Sequence, residues 1–201
     1  MPLSPSGRFI LASLSPRRLE LLSLLGLPVE VMPSGIEESF LPGETPETHV
    51  LRLSCLKARA VSARHPDAWV LGADTIVLID GEILGKPATR DEASRMLGKL
   101  SGREHTVYTG YALVRERSGI LARQAVSSSV LFRELAPDEV QWYVASPEPY
   151  DKAGGYAVQG IGAFFIRAIK GSYTNVMGLP LCELVDTFKR VGMIRFENGH
   201  A

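Results

Sequence analysis

The chain has 201 residues, 45% of them hydrophobic and 22% charged, and its 22 lysines and arginines balance 22 aspartates and glutamates. Such a composition belongs to a soluble globular protein, expected to form a single domain over residues 1–201 with a core of about 8–192 that can divide into two lobes. The zero formal charge excludes a protein that coats nucleic acid or an anionic membrane by bulk attraction, so any anion site must be local.

Arg8 to Ser13 reads as a short buried strand, and Ser15-Pro16 follows it as N-cap and first helical position. That helix carries Leu19, Leu22 and Leu25 inward and stops at Gly26, before a second strand from Val29 to Met32. Thr45-Pro46 opens a long helix that runs to about Arg64 and ends at His65-Pro66. Trp69 to Ile79 is apolar except at Asp74 and Thr75, the pattern of a strand buried on both faces, and Asp80-Gly81 signals a hairpin turn. Thr89 to Glu92 fits a capping box for a helix through Leu100. Residues 105–116 and 120–133 read as two long antiparallel strands joined around Ser118-Gly119. Pro137 to Ala145 is a helix, although Ala136 stands where a capping Ser or Thr is expected, at a cost of about 1 kcal/mol. Gly162 to Ile169 is a further strand, Pro180 to Val191 a closing helix, and the last eight or so residues are expected to fray. The alternation predicts an α/β fold, a mixed sheet with flanking helices in two lobes around a cleft.

Several chemistries are excluded early. Cys55 and Cys182 sit in no CxxC or Cys/His cluster, so a disulfide framework or zinc knuckle is not expected. His49, His65, His105 and His200 have no metal-binding spacing, so a bound metal would need oxygen ligands. No apolar run approaches the ~18 residues of a membrane span. Phe9 to Leu14 is too short, and too soon followed by Pro16-Arg17-Arg18, for a signal peptide. The expected location is the cytoplasm.

Asp74 stands out because an ionised carboxylate inside an apolar strand costs several kcal/mol unless a cation or donors compensate it. It is either a strand-end aspartate bonded to backbone, or a metal ligand or general base. Ser13-Leu14-Ser15-Pro16-Arg17-Arg18 places two arginines on the first turn of a helix, where the dipole disfavours cations and a bound anion would remove the conflict. Ser13, Ser15 and both guanidinium groups could converge on one polyanion; the alternative is two solvated arginines. Lys86 in Gly85-Lys86-Pro87 and Lys57 in mid-helix read as surface lysines or as phosphate ligands, and Glu37-Glu38 as loop charges or metal ligands. Within Gly154–Gly162 the side chain of Gln159 carries both a donor and an acceptor, so it could read the edge of a base. Together these groups are the equipment for nucleotide phosphoryl chemistry.

The motif order Ser13-x-Ser15-Pro16-Arg17-Arg18, Gly35-Ile36-Glu37-Glu38, Lys57-Ala58-Arg59-Ala60, Gly72-Ala73-Asp74-Thr75, Gly85-Lys86-Pro87, Asp151-Lys152-Ala153-Gly154-Gly155-Tyr156, Gln159-Gly160 and Gly171-Ser172-Tyr173-x-Asn175-Val176-x-Gly178-Leu179-Pro180 resembles the Maf family of nucleoside triphosphate pyrophosphatases. The resemblance implies a Maf/Ham1-like (inosine triphosphatase-like) fold and a cytoplasmic homodimer. It also implies a divalent cation such as Mg2+ or Mn2+, and hydrolysis of a nucleoside triphosphate to the monophosphate and pyrophosphate. The last motif looks like that of the subgroup acting on dTTP and UTP rather than on 7-methyl-GTP. By the same resemblance Asp74 is the proton acceptor, and Arg17, Thr75 and Gln159 set specificity. Lys57, Lys86 and Arg18 hold phosphates, and Glu37 joins Asp74 in binding the metal. Maf proteins are also associated with inhibition of septum formation, so a nucleotide-binding regulator that does not cleave is the rival reading. A phosphate-monoester hydrolase is another.

Overall fold

Among the described residues, 5–195 in this computed structural model, seven strands form one mixed sheet with helices packed against it. The strands are β1 (Phe9–Leu11), β2 (Glu30–Val31), β3 (Trp69–Ile79), β4 (Glu82–Leu84), β5 (Glu104–Arg115), β6 (Ile120–Phe132) and β7 (Ile166–Lys170). Their order is β2-β1-β3-β5-β6-β7, with β4 paired to β3 off this path. β1 runs parallel to both β2 and β3, with Phe9 opposite Trp69, whereas β4 pairs with β3 and β7 with β6 antiparallel. The helices are α1 (Pro16–Ser23), α2 (Pro46–Ser62), α3 (Arg90–Leu100), α4 (Pro137–Val144), α5 (Tyr173–Val176) and α6 (Leu181–Arg190). Of the tail expected to fray, residues 196–201 lie outside the described residues, while Ile194 forms an antiparallel bridge with Pro5. Among the described residues no helix is long and apolar enough to cross a membrane.

The chain divides into two compact units, the first from Met1–Asp74, Gly110–Ala125 and Gly178–Ala201, the second from Thr75–Thr109 and Val126–Met177. In the first, α2 begins where Thr45 accepts a hydrogen bond from the Thr48 backbone N–H at 3.2 Å and Pro46 presets the first turn. Its Cys55, Ala58 and Val61 pack on Ile10, Ala12, Val70, Ala112 and Val114 of the sheet. Two glycines allow an unusually close approach. A Cβ at Gly72 would lie 2.2 Å from the Ser54 carbonyl oxygen, and one at Gly110 2.5 Å from that of Val50, so α2 rests directly on the backbone of β3 and β5.

The second unit has its own core, in which Val77, Leu97, Val107, Phe132, Tyr143 and Phe165 are all buried. Asp80 and Gly81 both take positive φ, as a two-residue hairpin between β3 and β4 requires. Thr89 accepts from the Glu92 N–H at 3.2 Å, the capping expected for α3. Ala136 indeed offers no side-chain cap to α4, but Glu139 Oε2 accepts the Ala136 N–H at 2.8 Å and supplies half of a capping box.

Two expectations are corrected. Ser15 has the extended backbone of an N-cap but no capping hydrogen bond; Ser13 Oγ instead accepts the Ser15 N–H at 3.2 Å. The strand expected over Gly162–Ile169 begins only at Ile166, because Ile161–Phe165 is a 3-10 turn. That turn is fastened by the Glu148 carboxylate, which accepts the Ile161 and Gly162 N–H groups at 2.8 Å and the Tyr143 hydroxyl at 2.9 Å. The short helix α5 carries no apolar period, yet Ser172 caps it by accepting the Asn175 N–H at 3.2 Å.

Candidate active site

Within the first unit, α1, α2 and the loop between β2 and α2 bring charged side chains around Asp74. The carboxylate lies near the middle of β3 and only 4% of the residue is exposed. A buried carboxylate requires a cation. Lys57 supplies it from α2, with Nζ 2.6 Å from Asp74 Oδ1 and 2.7 Å from Glu38 Oε1. The lysine is itself buried, so its position follows from the close seating of α2 on Gly72 and Gly110. Sequence reasoning left Lys57 open between surface lysine and phosphate ligand; its burial and its pairing with Asp74 and Glu38 remove the surface reading.

The second carboxylate oxygen of Asp74 faces a different group. Nε2 of the buried His49 lies 3.8 Å from Oδ2, and its Nδ1 lies 2.9 Å from Glu44 Oε2. Because an ionised carboxylate can only accept, Nδ1 carries the hydrogen. Arg52 grips Glu44 with Nε at 2.6 Å and Nη2 at 2.8 Å, and Nη2 also donates to the Ser39 carbonyl at 2.9 Å. These bonds, led by that from Arg52, hold the Glu44 carboxyl at about 2 instead of 4.5 against the opposing effect of burial. The Phe40 ring stacks on His49 with centroids 3.8 Å apart. None of Phe40, Glu44, His49 and Arg52 stood out in the sequence. The available signal was the stripe His49, Leu53, Lys57, whose i, i+4, i+8 spacing puts the imidazole and the ammonium on one side of α2.

Arg18 is also buried. Its Nε donates to the Gly178 carbonyl at 2.9 Å, and Nη1 donates to the Ala73 carbonyl at 2.9 Å and to Ser13 Oγ at 3.1 Å. Burial lowers its pKa, opposed by the negative charges of Asp74 and Glu38. Arg18 thus ties the end of β1, the residue before Asp74 and the approach to α6 into one cationic seat. Ser13, Ser15 and Arg17 are half-buried around it, and Glu37 is exposed beside Glu38. Among the described residues no three His, Cys, Asp or Glu side chains converge as a metal site made by protein alone.

Thr75, Lys86 and Gln159 belong to the second unit. Thr109 Oγ1 donates to the Asn175 carbonyl at 3.0 Å. Its one hydrogen is thereby used, so Thr75 is the donor in the 3.0 Å contact between the two hydroxyls. Asn175 Nδ2 donates to the Val107 carbonyl at 3.1 Å and to Ser128 Oγ at 3.0 Å, and the Ser172 N–H donates to the same oxygen at 3.0 Å. The Gly171–Asn175 motif is therefore a backbone lock beneath Thr75. The Gly154 N–H donates to the Gly85 carbonyl at 3.0 Å, which brings the Gly85-Lys86-Pro87 segment against the glycine-rich turn. Lys86 and Gln159 are both exposed.

A family model described as Maf-like protein matches residues 8–191. The dTTP/UTP pyrophosphatase of Syntrophus aciditrophicus is 59% identical over 94% of this chain and 92% of its own length. Those of Syntrophotalea carbinolica and Geobacter sulfurreducens are 50% and 51% identical, covering 96% and 94% of this chain and 89% and 98% of theirs. Among solved structures, a HAM1 protein from Coxiella burnetii is similar over 61% of this chain and 72% of that one, with 18% identity and a TM-score of 0.39.

Proposed function

Because the chain belongs to the Maf family, we propose that it is a nucleoside triphosphate pyrophosphatase that hydrolyses dTTP and UTP to the monophosphate and pyrophosphate. The observation that carries this reading is the buried Asp74 carboxylate, with Oδ1 tied to Lys57 at 2.6 Å and Oδ2 left 3.8 Å from the nearest ring nitrogen. Oδ2 is the oxygen with room to take a proton. On this reading it accepts one from a water, the resulting hydroxide attacks the α-phosphorus, and the bond to the bridging oxygen breaks with pyrophosphate as leaving group.

A triphosphate carries about four negative charges near neutral pH, and attack is slow until they are screened. Lys57, Lys86, Arg17 and Arg18 supply fixed positive charge, and Ser13 offers a hydroxyl. A divalent cation fits the donor set, since magnesium is commonly held by one or two carboxylates plus substrate phosphates rather than by an all-protein cage. Asp74 and Glu37 are the carboxylates assigned to it, with Glu38 adjacent, and when bound it would neutralise charge on the leaving pyrophosphate. Arg17, Thr75 and Gln159 set specificity. The Gln159 amide can accept from N3–H of uracil or thymine and donate to a ring carbonyl, a pattern that cytosine inverts. The same reading gives a cytoplasmic homodimer acting on free nucleotides.

The test is a pyrophosphate-release assay across a panel of nucleoside triphosphates, with and without Mg2+. dTTP and UTP should be cleaved in preference to CTP, with pyrophosphate and not orthophosphate released. Asp74→Asn should lower turnover by about 10²-fold or more while circular dichroism stays that of the parent, and Gln159→Ala should erode the preference over CTP. Binding without turnover would favour the regulator, and orthophosphate release a monoester hydrolase; either overturns the proposal.

A further inference from the structure

The first unit contains a cavity of about 420 Å³ at the N-terminal ends of β1 and β3, away from Ser13, which follows β1, and from Asp74 at mid-β3. Its wall includes Gly7, Arg8, Arg64, His65, Asp67 and Arg115, so it opens just before the first residues of both strands, Phe9 and Trp69. From Asp67 to Asp74 the extended chain covers roughly 23 Å at 3.3 Å per residue, so this cavity is separate from the candidate active site.

Its electrostatics are one-sided. Arg8 is paired with Glu30 through Nε at 2.8 Å and Nη2 at 2.7 Å, and Asp67 is paired with Arg117 at 2.8 Å, outside the wall. Arg64 and Arg115 have no carboxylate partner among the described residues. Arg115 is held in place all the same, because Nε donates to the Asp67 carbonyl at 3.1 Å and the guanidinium lies over the Trp69 ring, 5.0 Å from its centroid. A basic residue just past the end of α2 is favoured by the helix carbonyls, which accounts for Arg64 alone. It does not account for the meeting of Arg64 with Arg8 and Arg115, from two other segments, around one hollow in a chain of zero net charge.

We propose that this hollow is a second anion site, for a small polyanion of the phosphate or phosphoanhydride type. Guanidinium forks match tetrahedral oxyanions, and two uncompensated ones favour a ligand with more than one negative charge. The volume suits a small molecule. Apart from the His65 imidazole its wall presents no aromatic ring, Trp69 being buried beneath Arg115, so the site is built for the phosphate portion of a ligand.

The probe is inorganic pyrophosphate, titrated into the parent protein while amide resonances of Gly7 and Ala68 are followed by NMR. A saturable shift of both is expected, and Arg64→Ala, a change at an exposed side chain, should weaken it about tenfold while UTP turnover is unchanged. Arg8→Gln provides an independent second removal with the same expected direction. Parallel titrations with orthophosphate and with UMP distinguish the sources: a shift by pyrophosphate alone identifies a phosphoanhydride site, and equal shifts identify a general phosphate site, both within the proposal. Gly7 and Ala68 amides that stay unmoved at millimolar pyrophosphate, or that respond equally in the parent and in both variants, would overturn it.

Discussion

Lys57 is shared by two carboxylates in unlike surroundings, since the Asp74 side chain is 6% exposed and that of Glu38 46%. The Asp74 contact therefore dominates its energetic role, because the Glu38 contact is screened by water. Lys57→Met removes the ammonium and leaves the Asp74 charge buried, which should cost about 3 kcal/mol, the low end for a broken buried pair because the Arg18 guanidinium remains nearby. Denaturant melts would measure that loss, and turnover should fall with it. Asp74 is legible from the sequence because its apolar flanks make a bare carboxylate physically untenable. Its partners are less so: Lys57 looks like any helical lysine, and Glu44, His49 and Arg52 acquire meaning only when α2 and the preceding loop are folded together. The contact of Glu38 with Lys57 likewise depends on a loop path that no periodicity encodes.

At the scale of elements, the seating of α2 sets the geometry around Asp74. Gly72→Ala would force a methyl group to 2.2 Å from a backbone carbonyl and 2.7 Å from the Ala58 nitrogen, and backbone cannot rotate aside as a side chain can. The change should cost about 3 kcal/mol and lift Lys57 away from Asp74, so that stability and turnover fall together in the same preparation. β5 carries a different liability. His105 is buried in the second unit, with Nε2 2.7 Å from the Tyr156 hydroxyl and its ring edge-on to Phe132, and burial lowers it from 6.5 to about 4. Between those values the unfolded chain binds the proton more readily than the folded one, so stability falls as pH drops from 6.5 towards 4, by up to about 3 kcal/mol. Urea midpoints of His105→Phe measured across this range should lose most of that slope. Strands and helices with strong periodicity or caps, such as β3, α2 and α3, follow directly from their residues. The 3-10 turn at Ile161–Phe165 does not, because it is organised by Glu148, thirteen residues before Ile161.

For the whole molecule, alternating local patterns suffice to predict a mixed α/β sheet, and the order of short motifs suffices to predict the family. The division between units is another matter. β3, β5 and β6 each run from one unit into the other without any linker-like change of composition, so nothing local marks residues 74, 110 or 125 as boundaries. Each unit nevertheless has its own apolar core. The two cysteines convert one of these cores into a clock. Cys182 is exposed, whereas Cys55 is buried beneath α2 against the sheet. A thiol-reactive dye should label Cys182 within its mixing time and Cys55 only as often as the helix detaches, giving two kinetic phases from a single sample. Nucleotide that slowed the second phase and spared the first would register occupancy as a change in labelling rate, with no turnover required.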